Sequence, residues 1–250
     1  MASPVRIPSA PEEGRLPILL DDIPLLYEDQ EDDEMGESDF HAIVEDILRY
    51  GLRAHLASRS ELRVFTNLNL YYNRRKPKAN VAPDAMVVAP TRVLVGDVSS
   101  YRIGQDGPAP ILAGEILSPR TAEDKDLGKK LKVYAKLGVP EYILVDLSGR
   151  FLPERLVLKR LQSDRTWLDE RDSDGGITSR LGFRVTIDVD GWLRVVNAAT
   201  GDPYARPDEA QATANALQQT QERLRQLEAE IERLRTTAKK SETKKRRRQS

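Results

Sequence analysis

Two carboxylates and one lysine are the residues of this 250-residue chain whose types and spacing could do chemistry. Asp84 follows Pro83 at the start of an apolar stretch, and Glu115 lies inside the apolar run at 111–117. A carboxylate in such a run is costly to bury unless it is paired or binds a cation. Two carboxylates on neighbouring strands can bind one or two Mg²⁺ ions, which prefer oxygen ligands. The alternative for Glu115 is a structural salt bridge with a buried arginine or lysine.

Lys130 is the lysine whose place on a predicted helix directs it towards those carboxylates. At about 100° per residue, Leu127, Leu131 and Tyr134 form the buried stripe of the helix. Lys130 lies on the flank of this stripe, with Asp126 one turn before it. The other lysines gather on the opposite, solvated side: Lys125, Lys129, Lys132 and Lys136. The alternative is that Lys130 packs its stem on the stripe and extends its ammonium to solvent or to Asp126.

Two carboxylates, a hard cation and an inward lysine suit the hydrolysis of phosphodiesters. A metal ion polarises the phosphoryl oxygen and lowers the pKa of a bound water. A lysine then stabilises the developing negative charge or orients the water. Without nucleic-acid contacts, the same residues could merely form a metal-binding fold.

The elements that must position these residues follow from hydrophobic periodicity. Apolar residues at helical spacing predict a helix that begins at Ser38 or Asp39 and ends near Leu56. A second helix is predicted from Ala122 to Leu137, with Thr121 as N-cap. Strands are predicted at 62–72, 85–89, 111–117 and 141–147, with a long loop at 96–110 and short strands over 156–196. This order predicts an α/β fold with a mixed sheet.

The two ends of the chain differ in composition from its middle. Residues 1–36 contain five prolines and an acidic run at 28–34, a mix that buries too little apolar surface to offset its ordering entropy. We therefore divide the chain into a flexible N-terminal segment at 1–36, an α/β domain at 37–205, a helical arm at 206–238 and a basic disordered tail at 239–250.

The helical arm carries a heptad pattern of apolar residues. Its seam consists of Leu217, Leu224, Leu227, Ile231 and Leu234. Such a helix needs a partner, most simply a second copy, which predicts a homodimeric coiled coil. A lone solvated helix is the alternative, since the pattern spans about three heptads. The basic tail is either a solvated segment or one attracted to a phosphate backbone.

Composition excludes several classes of protein. The chain has no cysteine, which rules out disulfides, thiolate zinc sites and a cysteine nucleophile. Its two histidines, His41 and His55, leave almost no scope for a multi-histidine metal site. No apolar run approaches the roughly 18 residues of a membrane helix, and the N-terminus lacks the basic start of a signal peptide. We expect a soluble, cytoplasmic protein with no membrane partner.

Four ordered blocks of sequence resemble a known family. They are VAPDAMVV at 81–88, EILSPRT at 115–121, the stretch from Asp126 through Lys130 to Tyr134, and GVPEYILVD at 138–146. In these blocks the chain resembles the Uma-two family of restriction-endonuclease-like proteins, part of the PD-(D/E)XK nuclease superfamily. The likeness runs from about Glu37 to Thr200.

The resemblance implies a restriction-endonuclease-like mixed β-sheet flanked by helices, with the helical coiled-coil-like arm as an extension. It also implies DNA cleavage that depends on Mg²⁺, with Mn²⁺ as a second candidate ion. The superfamily's aspartate corresponds to Asp84 and its glutamate to Glu115, and the backbone carbonyl of Ile116 matches a frequent metal ligand. The lysine expected two residues after the glutamate is Leu117 here, and Lys130 matches the family's helix lysine.

The first helix of this superfamily often adds another glutamate, for which Glu37 is the nearest match. Glu37 is equally explained as a member of the acidic N-terminal run. His41, one turn later, either faces the same cleft or is an exposed helical histidine. We thus predict an Mg²⁺-dependent endodeoxyribonuclease that binds DNA as a homodimer. The alternatives are a degenerate DNA-binding relative and a coiled-coil interaction protein with the α/β domain as scaffold.

Overall fold

A computed structural model of the chain describes residues 39–73, 76, 79–91, 98–118 and 122–248, without the side chains of 123–125 and 236–248. The predicted site residue Glu37 lies outside these residues. The chain divides into two compact units, one from Met1 to Tyr204 and one from Ala205 to Ser250. Within the described residues, no helix is both long and apolar enough to cross a membrane.

The first unit combines helices with short strands, and the second contains one long helix. The helical segments are α1 Asp39–His55, a π-helical segment π1 Ala122–Lys130, α2 Leu131–Leu137 and α3 Pro207–Arg248. The strands are β1 Arg63–Phe65, β2 Asn69–Tyr71, β3 Asn80–Val81, β4 Ala85–Val88, β5 Ser100–Arg102, β6 Leu112–Ile116, β7 Glu141–Val145, β8 Leu156–Leu161, β9 Trp167–Glu170, β10 Ile177–Thr178, β11 Phe183–Ile187 and β12 Leu193–Asn197.

The main sheet has six strands in the order β1-β4-β6-β7-β8-β9. β6 and β7 are parallel, and every other neighbouring pair in this sheet is antiparallel. The mixed α/β architecture predicted from the sequence is therefore confirmed. β4, β6 and β7 are buried along their whole length, which explains why they are nearly continuous apolar runs in the sequence.

Two hydrophobic cores lie on opposite faces of this sheet. α1 and the small sheet of β10, β11 and β12 pack on one face, whereas α2 and the small sheet of β3, β2 and β5 pack on the other. Along β6, Leu112 and Ile116 contribute to the first core, and Ala113 and Leu117 contribute to the second. Because side chains alternate along a strand, Glu115 points to the face covered by α2.

Two predictions for the strands were wrong. The single strand predicted at 62–72 is two strands in different sheets, β1 and β2. The chain turns between them, where Asn67 has a φ of 50° in the left-handed region that asparagine tolerates better than most residues. The predicted loop at 96–110 contains β5, which pairs in parallel with β2. Tyr101 of β5 is fully buried, so a polar-looking segment is anchored by one aromatic side chain.

The helix predicted from Ala122 to Leu137 forms, but its first nine residues are π-helical rather than α-helical. A π-helix has a wider turn, and such turns often occur at functional sites. α2 ends as predicted at Gly138, whose φ of 74° is the left-handed conformation that glycine adopts without strain.

Candidate active site

The register of the main sheet brings Asp84 and Glu115 side by side. The antiparallel ladder of β4 and β6 pairs Ala85 with Gly114, so Asp84 and Glu115 are the next pair beyond its end. Asp84 Oδ2 accepts a hydrogen bond from the backbone N–H of Ile116 at 2.7 Å. The two carboxylates that the sequence singled out therefore lie together at one end of the sheet.

Glu115 is fully buried, and each of its oxygens accepts a hydrogen bond from the helical layer above it. The hydroxyl of Tyr134 donates to Oε1 at 2.8 Å, and Lys130 Nζ donates to Oε2 at 2.8 Å. Two donors from different helical segments thus fix the orientation of the Glu115 carboxylate. Sequence analysis assigned Tyr134 only to the buried stripe and did not foresee this contact with Glu115.

Lys130 points towards the sheet, as the helical wheel predicted. Its ammonium lies 2.8 Å from Glu115 Oε2 and 3.0 Å from Asp126 Oδ1, and it donates to the carbonyl of Ala82 at 3.1 Å. The ammonium does reach Asp126, as in the alternative, but its contact with Glu115 directs it inwards and not to solvent. Only 12% of the Lys130 side chain is exposed.

The charges in this cluster do not balance. Burial raises the pKa of Glu115 well above its usual value, and Asp84 and Asp126 raise it further, although Lys130 partly opposes them. Burial lowers the pKa of Lys130, but the attraction of the same three carboxylates outweighs burial, and the net pKa is raised. Lys130 is therefore cationic at neutral pH. Three acidic groups share one ammonium, and the acidic neighbours of Glu115 are among the causes of its raised pKa, so a further cation bound here would relieve that repulsion.

The position predicted for a strand lysine holds Leu117. Leu117, the residue after β6, packs in the apolar core beneath α2, on the side of the sheet to which Glu115 points. The positive charge beside Glu115 comes instead from the last residue of π1. The side chain of Ile116 packs in the opposite core, so only its backbone can take part in the site.

α1 adds polar side chains to the site, and one of them lies next to Asp84. His41 Nε2 lies 3.6 Å from Asp84 Oδ2, and 12% of each side chain is exposed, so His41 faces the carboxylate and is not a solvated histidine. Glu45, one turn later, is buried and accepts a hydrogen bond from Asn67 Nδ2 at 2.9 Å.

Glu45 and Asn67 were not predicted as site residues from the sequence. The spacing of four residues between His41 and Glu45 puts both on one face of α1, and this signal could have found Glu45. Asn67 was hidden inside the strand predicted at 62–72.

The donor atoms of the site fit a hard divalent cation. Among the described residues, no group of three or more histidines, aspartates or glutamates is arranged to hold a metal ion. Mg²⁺ does not need such a group, because it usually keeps several waters and binds one or two carboxylates together with substrate phosphates. Asp84 and Glu115 supply two carboxylates, and an ionised carboxylate has about four lone-pair sites, so the hydrogen bonds to Glu115 do not exhaust its acceptors.

Comparison with known proteins identifies the family of the chain. Residues 31–176 match the model of a protein family, Uma2, described as "Putative restriction endonuclease". This match confirms the resemblance seen in the four sequence blocks. The chain is also similar to a crystal structure from Anabaena variabilis ATCC 29413, described as "a putative nuclease belonging to DUF820", with 17% identity and a TM-score of 0.44 over 58% of this chain and 74% of that one. A comparison with curated proteins returned no match.

Proposed function

The chain belongs to the Uma2 family of restriction-endonuclease-like proteins, and from this premise we propose that it is an Mg²⁺-dependent endonuclease that hydrolyses phosphodiester bonds of DNA. Family membership supports a nuclease. The observation that carries the proposal further is the contact of Lys130 Nζ with Glu115 Oε2, because it puts a fixed positive charge beside the carboxylate pair.

Asp84 and Glu115 would hold the divalent cation, with the backbone carbonyl of Ile116 as a third candidate ligand. Mg²⁺ is the proposed ion, and Mn²⁺ is an alternative with similar ligand preferences. Such an ion supplies Lewis-acid polarisation of a phosphoryl oxygen and a water of lowered pKa. The hydrogen bond from the Tyr134 hydroxyl to Oε1 fixes the orientation of the Glu115 carboxylate. The lone pairs that remain free on that carboxylate therefore keep a fixed direction.

Lys130 is proposed to stabilise the negative charge that develops on the phosphate. Its raised pKa keeps the ammonium protonated at neutral pH, so it acts by electrostatics and not as a general base. Asp126 is a positioning residue, because its Oδ1 lies 3.0 Å from the ammonium, one helical turn before Lys130. Leu117 leaves no competing cation on β6.

The first helix contributes to the proposal through His41, which contacts Asp84. The further glutamate that the resemblance assigns to Glu37 remains a proposal, since Glu37 lies outside the described residues. Glu45 is a second candidate for that carboxylate because it is buried one turn from His41.

A second candidate function is a DNA-binding relative that does not cleave. The observation that favours it is that the Lys130 ammonium donates to Glu115 and to the carbonyl of Ala82 and forms an ion pair with Asp126, as in a structural ion-pair cluster. In that case the cluster would stabilise the fold and the Leu117 position would mark a lost catalytic lysine.

Incubation of the purified protein with supercoiled, linear and single-stranded DNA, with Mg²⁺ or Mn²⁺ or with a chelator, distinguishes the two functions. The endonuclease predicts nicked or shortened DNA only when metal is present. Binding to DNA in a gel-shift assay without cleavage under any of these conditions would support the second candidate.

A further inference from the structure

α3 carries an apolar stripe that the described residues leave exposed. The exposed fraction of its five large apolar side chains lies between 40% and 63%, and these residues are Leu217, Leu224, Leu227, Ile231 and Leu234. Their spacings of seven, three, four and three residues assign 217, 224 and 231 to heptad position a and 227 and 234 to position d, and Thr220 occupies the remaining d position. Burial of such a stripe is the usual source of stability for a long helix.

The charged residues beside this stripe are complementary to a second copy of the same helix. In a parallel, in-register pair, each g residue faces the e residue five positions later on the other helix. Arg223 at g then faces Glu228 of the second copy, and Glu230 at g faces Arg235 of the second copy. Both contacts join opposite charges, and the symmetry of the pair doubles them.

An antiparallel pair fits the charges less well. The antiparallel register that buries the same apolar residues brings g next to g and e next to e. Arg223 still meets Glu230, but Glu228 and Arg235 then lie opposite the uncharged Gln221 and Ala214. Within one helix, Arg235 contacts Glu232 at 3.9 Å, and both side chains are more than 70% exposed. Because such an exposed ion pair is weak, it competes little with the contact between Arg235 and Glu230 of the second copy.

We propose that α3 pairs with α3 of a second copy as a parallel, in-register, two-stranded coiled coil over residues 217–235. The seam buries the five apolar residues, and the charges of the flanks select the parallel orientation. Seven of the ten residues at 239–248 are lysine or arginine. Because parallel helices end side by side, the dimer brings two such basic segments to the same end.

Orientation and register can be tested by cross-linking, because the chain contains no cysteine of its own. Thr220 lies at position d in the seam, and Glu222, two residues later, lies at the outer position f. Under mild oxidation, Thr220→Cys should give a disulfide-linked dimer of the full-length protein, since the two d positions face each other. Glu222→Cys is the matched control and should remain uncross-linked.

The two variants distinguish the parallel pair from an antiparallel pair and from non-specific association. In the antiparallel register, residue 220 lies about 16 Å along the axis from its equivalent, too far for a disulfide. Absence of a cross-link in Thr220→Cys, or equal cross-linking of both variants, would overturn the proposal.

Charge reversal tests the partner. Arg223→Glu with Arg235→Glu makes all four of these flank residues acidic, and Glu228→Arg with Glu230→Arg makes all four basic. Each double variant alone should dimerise about a hundredfold more weakly than the wild type in sedimentation experiments, because four attractive contacts become repulsive. An equimolar mixture should restore the dimer. Unchanged dimerisation of either variant alone would contradict the proposal, and neither readout depends on DNA or metal.

Discussion

Lys130 Nζ lies 2.8 Å from Glu115 Oε2, although the two residues are fifteen positions apart and belong to different elements. The position just after β6 at which the resemblance implies a lysine holds Leu117, which packs on the same side of the main sheet. The positive charge beside Glu115 is thus supplied by the helical layer and not by the strand, at the distance of a hydrogen bond. The charge beside the carboxylate pair can therefore be changed without altering the strand.

Lys130→Met should lower the single-turnover rate of DNA cleavage by about a hundredfold. A charge directed at a developing anion in a partly dry cleft lowers the activation free energy by about 3 kcal/mol. Lys129 is exposed one residue earlier, so Lys129→Met should leave this rate nearly unchanged. The rates are compared at saturating enzyme.

Loss of Lys130 also leaves Glu115 and Asp126 buried without their shared ammonium. We expect the free energy of unfolding to fall by about 3 kcal/mol or more in Lys130→Met and to change little in Lys129→Met. The cleavage rates are therefore compared below both melting temperatures. Equal cleavage rates would show that Lys130 has only a structural role.

Glu115→Gln should abolish cleavage while changing stability little at neutral pH. The amide oxygen can accept from Lys130, and the amide nitrogen can donate to the hydroxyl of Tyr134, which also acts as an acceptor. Because burial raises the pKa of Glu115, its ionised form is disfavoured in the folded protein, and replacing it removes that cost. Thermal melting beside the cleavage assay checks both statements. Unfolding of this variant would identify Glu115 as a structural ion-pair residue.

Asp146 should support stability at neutral pH through the loop that follows β7. Its carboxylate accepts backbone N–H bonds from Gly149 at 3.1 Å, Phe151 at 2.6 Å and Leu152 at 2.8 Å. Burial acts to raise the pKa of Asp146, but these bonds and one from Ser148 outweigh it, and the pKa is lowered. A lowered folded-state pKa gives stability that is present above the unfolded pKa of about 3.9 and is lost as pH falls below it.

Asp146→Asn should therefore reduce the free energy of unfolding by about 2 kcal/mol at pH 7. In this variant the free energy of unfolding should also decrease less steeply as the pH is lowered. Urea unfolding between pH 3 and pH 7 measures this. Asp202→Asn is the matched control, because the side chain of Asp202 is exposed. If the free energy of unfolding of Asp146→Asn depended on pH as that of the wild type does, Asp146 would not be a source of the acid sensitivity.

Truncation after Ala238 should weaken DNA binding and its salt dependence. The removed segment contains seven lysines and arginines. Each DNA phosphate that the shortened protein no longer neutralises lowers the logarithmic salt slope by about 0.9, so the slope should fall by at most about 6 for each chain of the dimer. The coiled-coil residues remain, so dimerisation should persist. A slope equal to that of the full chain would exclude a DNA-binding role for the tail.

The residues at the centre of the site were predictable because strong patterns surround them. Glu115 is conspicuous as a charge in an apolar strand, and the helical wheel directed Lys130 inwards even though π1 has a wider turn than an α-helix. Over a single turn, the difference between the two kinds of helix moves a side chain too little to reverse its direction.

Other features depended on tertiary contacts that periodicity does not encode. β5 forms because β2 offers a free edge and Tyr101 fills the core, although Gly, Ser and Asp residues surround it. The break at Asn67 divides one alternating pattern between two sheets. Tyr134 has the same place on the helical wheel whether its hydroxyl binds Glu115 or not.

The most direct test of the account is the rate at which the wild type and Asp84→Ala nick supercoiled plasmid DNA with Mg²⁺. Asp169→Ala serves as the control, since Asp169 is an exposed aspartate of β9 in the same sheet. The account predicts Mg²⁺-dependent nicking by the wild type and the control, and none by Asp84→Ala, which should melt as a folded protein. Nicking that persists at the wild-type rate in a folded Asp84→Ala protein would contradict it.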